Sequence, residues 1–151
     1  MPDRKFGIVI DGATGRLGTT QHLRALLDIR REDGLVLSNG DRLLPEPILL
    51  GRDSQKVAAL AEKYGELRWS TDRSACLADP AVDIYFDATA TGGRPERARA
   101  AFAAGTIVAH NASAATRPQR APPDLRAMLP LPFRWYEANL IQIKRQFPCR
   151  R

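Results

Sequence analysis

The chain has 151 residues, of which two are cysteines, and its formal charge is +6 at neutral pH. That length fits one domain, and no apolar run approaches the roughly 18 residues that a membrane-spanning helix needs. Two distant cysteines argue against a disulfide framework and a metal site, and the amino terminus lacks a signal-peptide pattern. We therefore expect a cytoplasmic protein with reduced thiols and no membrane partner.

The positive charge is confined to the last part of the chain. Residues 1–110 carry 15 basic and 15 acidic side chains, whereas residues 111–151 carry eight basic and two acidic ones. The excess therefore gives no evidence for a basic face on the folded body, and the basic segment has no known nucleic-acid-binding module. We expect no nucleic-acid partner.

Short apolar segments alternate with helical patterns from the amino terminus onwards. Residues 5–10 read KFGIVI, an almost wholly apolar run that is typical of a parallel strand covered on both faces. Residues 31–47 are rich in turn residues and favour a surface excursion or a small hairpin. Four further strands are predicted at 47–52, 67–70, 82–89 and 106–110, and helices at 16–30, 53–65, 71–79 and 94–105.

This alternation favours a parallel sheet, because each helix must cover one face of the sheet as the chain returns to start the next strand. We predict an α/β domain over residues 1–110, a Rossmann-like doubly wound parallel sheet with strand order 3-2-1-4-5. Residues 111–151 form an atypical tail rich in Pro and Arg, whose prolines argue against a long helix or a central strand. Within it, the apolar spacing at 134–147 predicts one amphipathic helix.

The segment GATGRLG joins the first predicted strand directly to the first predicted helix. Glycines in that place permit positive φ, let the main chain approach a diphosphate and allow tight helix–strand packing. The N–H groups and the positive dipole end of the helix favour an anion, although a tight turn without a ligand is the alternative. No Gly-Lys-Ser/Thr follows, which excludes a P-loop. The candidate cofactor-binding residues are Gly12, Ala13, Thr14, Gly15, Arg16, Leu17 and Gly18.

The second predicted strand ends in LLGRD, where the adenosine ribose of a dinucleotide would lie. An arginine there accommodates the 2′-phosphate of NADP, whereas an acidic residue bonds the ribose hydroxyls of NAD. Arg52 therefore favours NADP, with Arg16 as a second cation, and Asp53 keeps NAD open. The alternative is a solvated Arg52 beside an Asp53 that only caps the following helix.

The loop DATATGGRP follows the fourth predicted strand at the carboxyl edge of the sheet. Its small and hydroxylic residues lie beside the crevice in which doubly wound domains bind their ligands. Ala88 and Thr89 are candidates for lining the nicotinamide-ribose end of the cofactor. A flexible turn is the alternative.

The chain resembles the amino-terminal half of the Gfo/Idh/MocA oxidoreductases over roughly residues 5–110. The segments that carry the resemblance are GATGRLGTTQHL, LSNGDRLLPEPILLGRD, KVAALAEKYG, RWSTD, LADP and YFDATATGGRPERARAAFAAG. The resemblance implies that this domain binds NAD or NADP and that hydride passes to or from a carbon bearing oxygen in a sugar, polyol or related compound. In that family a second α+β domain supplies most of the substrate pocket and often the oligomer interface.

The family's fifth strand runs into a Glu-Lys-Pro signature, which corresponds here to His110, Asn111 and Ala112. Asn111 occupies the position of the catalytic lysine and carries no positive charge or transferable proton. We therefore assign no catalytic residue and expect the nucleotide-binding domain without the second α+β domain. We also expect self-association through the apolar surface that such a domain would cover.

Two interpretations of the tail remain open at this point. In the first, a frameshift or truncation replaces the family sequence, and the chain binds the cofactor by descent with doubtful turnover. In the second, the tail is an authentic element of a non-catalytic dinucleotide-binding or regulatory module. A short-chain-dehydrogenase-like protein is disfavoured because Tyr64, Tyr85 and Tyr136 lack a lysine four residues later.

Overall fold

A mostly parallel sheet forms the centre of the computed structural model, which describes residues 3–36, 41–90, 92–110 and 129–130. The strands of this part are β1 (Asp3–Asp11), β2 (Leu35–Val36), β3 (Arg42–Leu50), β4 (Arg68–Ser70), β5 (Val82–Asp87), β6 (Ile107–His110) and β7 (Leu129–Pro130). The helices are α1 (Arg24–Arg31), α2 (Ser54–Lys63), α3 (Arg73–Ala78) and α4 (Arg94–Ala103).

The five predicted strands lie in the order β4-β3-β1-β5-β6, which confirms the predicted order 3-2-1-4-5. All four pairings among them are parallel. β2 pairs antiparallel with the start of β3, so residues 31–47 contain the small hairpin that is one of the two predictions for this segment. The described residues therefore form a Rossmann-like α/β fold.

Helices cover both faces of the sheet, and side chains along each strand alternate between the two layers. Ile8 and Ile10 of β1 belong to one buried cluster, together with Leu26 of α1 and Val57 of α2. Val9 points to the other face, where a second cluster packs against α3 and α4 through Cys76, Leu77, Ala98 and Ala101. The near-continuous apolar sequence of β1 follows from this double burial.

β3 begins at Arg42, earlier than the predicted start at residue 47. β1 pairs along one edge of β3, and β2 and β4 pair with two separate stretches of the other, outer edge. Pro45 and Pro47 lie between these two stretches, where the outer edge has no partner strand among the described residues. Arg30 Nη1 donates a hydrogen bond to the Pro45 carbonyl at 3.1 Å. An unpaired edge tolerates prolines because no ladder N–H is needed on that side.

The first predicted helix is present, but its opening is not a regular α-helix. Residues 18–23 form a π-helical segment, Gly18–Leu23, which leads directly into α1. Its inner side is buried: His22 packs on the ring of Phe86 with ring centroids 4.0 Å apart. π-Helical segments are rare and are frequently found at functional sites.

Most of residues 111–151 lies outside the described residues. That applies to Asn111, to the predicted helix at 134–147 and to Cys149. β7 pairs in parallel with β6 through Leu129 and Pro130. In the described part Cys76 is a buried free thiol, no group of side chains could hold a metal ion, and no helix is long and apolar enough to span a membrane.

Candidate functional site

The carboxyl ends of three adjacent strands define the candidate site. β1 lies between β3 and β5, so the segments that follow these strands meet at one edge of the sheet. The chain passes from β1 to β3 on one side and later returns to β5 on the other. Such a reversal opens a crevice at the carboxyl edge, which is where doubly wound sheets bind ligands.

We call the segment GATGRLG, residues 12–18, the glycine loop. Its main chain is bonded to the end of β3 and lies against the turn after β5. The N–H groups of Gly12 and Ala13 both donate to the Leu50 carbonyl, at 3.0 and 3.2 Å. Gly12 has φ of 81°, and a Cβ added there would lie 3.1 Å from the carbonyl of Ala88 and from the amide nitrogen of Thr89. Only glycine combines this conformation with such close neighbours.

The same loop folds back tightly on itself. The Gly15 amide donates to the Gly12 carbonyl at 2.9 Å, and Thr19 Oγ1 donates to the Ala13 carbonyl at 2.6 Å. A Cβ added at Gly18 would lie 2.5 Å from the Gly12 carbonyl oxygen. Residues 14–17 remain exposed at the tip, so the loop is accessible from the solvent side.

The helical segment that follows the loop begins without a side-chain cap and without an acidic residue in its first turn. Arg16 is exposed at the same tip. The first amides of a helix point along its axis and carry a partial positive charge. Together with the Arg16 guanidinium they form a site that favours an anion.

The segment after β3 brings Arg52 and Asp53 beside the glycine loop. A Cβ added at Gly51 would lie 3.7 Å from Thr14 Cγ2, and the Gly51 amide donates to the Ser70 carbonyl at 3.2 Å. The Arg52 side chain is exposed and makes no ion pair with any described residue. Asp53 caps α2, because its Oδ1 accepts from the Lys56 amide at 3.1 Å.

The turn after β5 forms the opposite side of the crevice. The Ala88 amide donates to the Asp11 carbonyl at 2.9 Å, which continues the pairing of β5 with β1. The amide and Oγ1 of Thr89 both donate to Asp87 Oδ1, at 2.9 and 2.5 Å. The structure therefore brings all three predicted groups of site residues together at one edge of the sheet.

Two buried carboxylates beneath the crevice were not among the predicted site residues. Asp11 is 4% exposed, and its Oδ2 accepts from Arg73 Nε at 2.7 Å and from the Tyr85 hydroxyl. Burial and the hydrogen bond to the Asp11 carboxylate raise the pKa of Tyr85. Asp87 is 1% exposed, and its Oδ2 accepts from Arg97 Nε at 2.9 Å.

The signal for these two carboxylates is present in the sequence. Each acid ends an apolar strand, in the segments IVID and IYFD, so each carboxylate follows residues that must be buried. A buried carboxylate requires cationic or hydrogen-bonding partners. Its partners lie in helices that the strand pattern does not identify, 62 residues away for Arg73 and 10 for Arg97.

Comparisons with known proteins agree with the fold. No family model matches the chain. The D-xylose dehydrogenase of Paenarthrobacter nicotinovorans is 43% identical over 99 residues, which are 65% of this chain and 26% of that protein. An oxidoreductase domain protein from Kribbella flavida is 28% identical, with a TM-score of 0.59 over 71% of this chain and 27% of that chain.

Levoglucosan dehydrogenase, solved with NADH and levoglucosan, has the same fold at 19% identity, with a TM-score of 0.58 over 72% of this chain and 27% of its own. The chain thus spans about a quarter of the length of the relatives that it matches. The described residues therefore share the Rossmann-like α/β fold of these dehydrogenases. The similarity to a D-xylose dehydrogenase agrees with the sequence resemblance to the amino-terminal domain of the Gfo/Idh/MocA oxidoreductases.

Proposed function

We propose that this chain is the nucleotide-binding part of an NAD(P)-dependent oxidoreductase that transfers hydride to or from a carbon bearing oxygen in a sugar or polyol. The observation that carries the proposal is the glycine loop, which joins β1 to an uncapped helical segment at the point where the strand order reverses. The 43% identity to a D-xylose dehydrogenase supports the substrate class.

In this proposal the diphosphate binds at the tip of the glycine loop. The glycines at 12 and 18 hold the loop against β5 and against itself, and the exposed residues 14–17 face the ligand. Helix amides and the Arg16 guanidinium compensate the charge of the diphosphate. No acidic side chain in the first helical turn repels it.

The adenosine ribose lies at Arg52 and Asp53, and we propose that NADP binds more tightly than NAD. Arg52 is exposed and unpaired among the described residues, so its guanidinium is available to a 2′-phosphate. The Asp53 carboxylate already accepts a hydrogen bond from the Lys56 amide as a helix cap, which makes it a weaker partner for ribose hydroxyls. Both features support the preference for NADP.

Ala88 and Thr89 line the nicotinamide-ribose end in this proposal, because their turn contacts Gly12 across the crevice. The nicotinamide supplies the hydride-transfer chemistry, whereas these residues only orient it. We assign no catalytic group within the described residues. Asn111, in the position of the family lysine, remains the sequence-based reason to expect cofactor binding without turnover.

A non-catalytic dinucleotide-binding or regulatory module is the second candidate, and the same Asn111 favours it. Oxidation of D-xylose or another polyol by the purified chain at an ordinary dehydrogenase rate would contradict both this candidate and the expected lack of turnover. Tight dinucleotide binding with no such oxidation agrees with it.

The proposal also includes a cytoplasmic location, no nucleic-acid partner and self-association. Val36 and Trp69 support self-association, because they are 67% and 44% exposed on the two short strands that flank the outer edge of β3. Sedimentation of the purified chain over a range of concentrations measures it. A monomer at every concentration would contradict this part.

The decisive experiment is calorimetric titration of the purified chain with NADPH and with NADH, for the wild type, Arg52→Ala and Arg99→Ala. Arg52→Ala loses a charge-assisted contact, worth about 1.5–3 kcal/mol for NADPH and little for NADH. Arg99 is exposed on α4 and provides the matched charge change away from the crevice. No binding of either nucleotide by folded wild-type protein would overturn the proposed function.

A further inference from the structure

A buried carboxylate and two arginines hold the turn after β5, although a turn of this kind can form without any charged side chain. The Asp87 carboxylate is 1% exposed and accepts from Thr89 through Oδ1 and from Arg97 through Oδ2. Arg94 Nε, which has no hydrogen-bond partner, lies 3.7 Å from the same Oδ2. A neutral Asn or Ser is enough to form a turn of this kind, and burying a carboxylate with guanidinium groups costs desolvation energy.

The two arginines that neutralise Asp87 also bind the main chain of the turn. Arg97 donates through Nη1 to the Gly92 carbonyl at 2.7 Å and through Nη2 to the Ala90 carbonyl at 2.9 Å. Arg94 Nη2 donates to the Thr89 carbonyl at 3.1 Å. The carboxylate, the guanidinium groups and the carbonyls therefore form one network that restrains the turn from both ends.

The restrained turn is the one that contacts the glycine loop. The Ala88 carbonyl and the Thr89 amide lie where a Cβ on Gly12 would be only 3.1 Å away. Asp87 itself is only 1% exposed, and its two oxygens accept from Thr89 and Arg97, so it is not available to a ligand in the crevice. Any effect of Asp87 on a ligand must therefore pass through the turn.

From this geometry we propose that Asp87 is a positioning residue for the nicotinamide half of the cofactor. Through Thr89 and the Arg97 guanidinium it holds the Ala88–Thr89 turn at a fixed distance from the glycine loop. The diphosphate and adenosine half of the cofactor binds on the opposite side of Gly12 and does not depend on Asp87. This inference rests on the proposed function.

The test compares NADH with ADP, which has the adenosine and diphosphate but lacks the nicotinamide riboside. Affinities are measured for the wild type, Asp87→Asn and Asp87→Ala. The control is Asp83→Ala, which changes the same residue type at the opposite end of β5, where Asp83 Oδ2 accepts from the Gly7 amide. The fluorescence of bound NADH reports separately on the surroundings of the nicotinamide ring.

The expected result is that the wild type binds NADH more tightly than ADP and that Asp87→Ala weakens NADH by about tenfold or more. Asp87→Asn gives an intermediate loss, because its oxygen still accepts from Thr89 whereas its amide no longer pairs with Arg97. ADP affinity stays within about twofold in all variants, and Asp83→Ala behaves as the wild type. NADH bound to Asp87→Ala shows an altered nicotinamide fluorescence.

Other outcomes separate the two proposals. If the wild type binds neither ligand, the proposed function fails. If it binds both equally, or if Asp87→Ala weakens both to the same degree, this inference fails and the proposed function stands. Should Asp87→Ala not fold, Asp87→Asn and Arg97→Met replace it: weaker NADH binding with unchanged ADP binding in either variant supports the proposal, and any other result in both variants overturns it.

Discussion

Asp11 and Asp87 lie opposite each other in the register of β1 and β5, and both are almost fully buried at the carboxyl ends of their strands. Each carboxylate is paired with an arginine from a covering helix, Arg73 for Asp11 and Arg97 for Asp87. Two unpaired acids at this edge would repel a diphosphate. Their arginines compensate this charge, and each pair fixes the end of its own strand at the carboxyl edge of the sheet.

The Asp11–Arg73 pair should contribute to stability far more than a surface pair of equal length. Asp11→Ala removes the buried carboxylate that accepts from both Arg73 and Tyr85, at a cost on the order of 3 kcal/mol. Asp28 and Arg31 are also 2.7 Å apart, but their side chains are 47% and 73% exposed. Asp28→Ala should cost less than about 1 kcal/mol. Urea unfolding measures both variants, and equal losses would contradict the expectation.

Gly12→Ala should lower both stability and nucleotide binding, whereas Gly65→Ala should lower stability alone. Both glycines have positive φ, 81° and 97°, so an alanine at either position costs roughly 1–2 kcal/mol. A Cβ at Gly65 meets nothing within 4 Å, but one at Gly12 crowds the turn after β5. Thermal unfolding and NADPH titration separate the two effects. Unchanged NADPH affinity in Gly12→Ala would show that the close contact between Gly12 and the turn after β5 is not needed for nucleotide binding.

The buried Tyr85 hydroxyl should make the fold sensitive to alkali. Burial and the Asp11 carboxylate raise the pKa of Tyr85 in the folded state, whereas the unfolded residue ionises near pH 10. Its contribution to stability is therefore complete below about pH 10 and declines as pH rises above that value. Tyr85→Phe should remove this decline and flatten the alkaline limb of the stability curve. An identical alkaline limb in both proteins would contradict the assignment.

Asp53→Asn should shift the preference between the two cofactors without changing stability. Asparagine caps helices as well as aspartate does, so the hydrogen bond from the Lys56 amide is retained. Loss of the negative charge beside Arg52 favours a 2′-phosphate, so NADPH should bind more tightly and NADH no more tightly. Titration with both nucleotides measures the ratio. A ratio that stays constant would exclude Asp53 from the ribose site.

The strand order and the glycine loop could be predicted because their signals are local. The run KFGIVI, the glycines that follow it and the return of apolar segments at regular intervals determine the parallel arrangement. The π-helical opening could not be predicted, because over six residues its apolar pattern hardly differs from that of an α-helix. The early start of β3 was missed because Pro45 and Pro47 indicate a turn unless the outer edge is known to be unpaired.

The two buried carboxylates illustrate a different limit. The apolar runs before Asp11 and Asp87 indicate that both acids follow buried strands, but the pattern does not identify the cations that would allow the carboxylates themselves to be buried. Their burial depends on Arg73 of α3 and Arg97 of α4, and the strand pattern does not show that these helices bring arginines to the ends of β1 and β5. Charge pairing across such distances is a property of the folded chain and not of a local pattern.

The outer edge of β3 is closed to strand addition. Between β2 and β4 this edge offers two prolines without amide hydrogens, and the carbonyl of Pro45 is already occupied by Arg30. A foreign strand arriving here would meet two residues without an amide hydrogen and one carbonyl that is already bonded, which disfavours a new ladder and edge-to-edge aggregation. We expect contacts between copies of the chain at this stretch of β3 to be made by exposed side chains such as Trp69 and not by main-chain pairing.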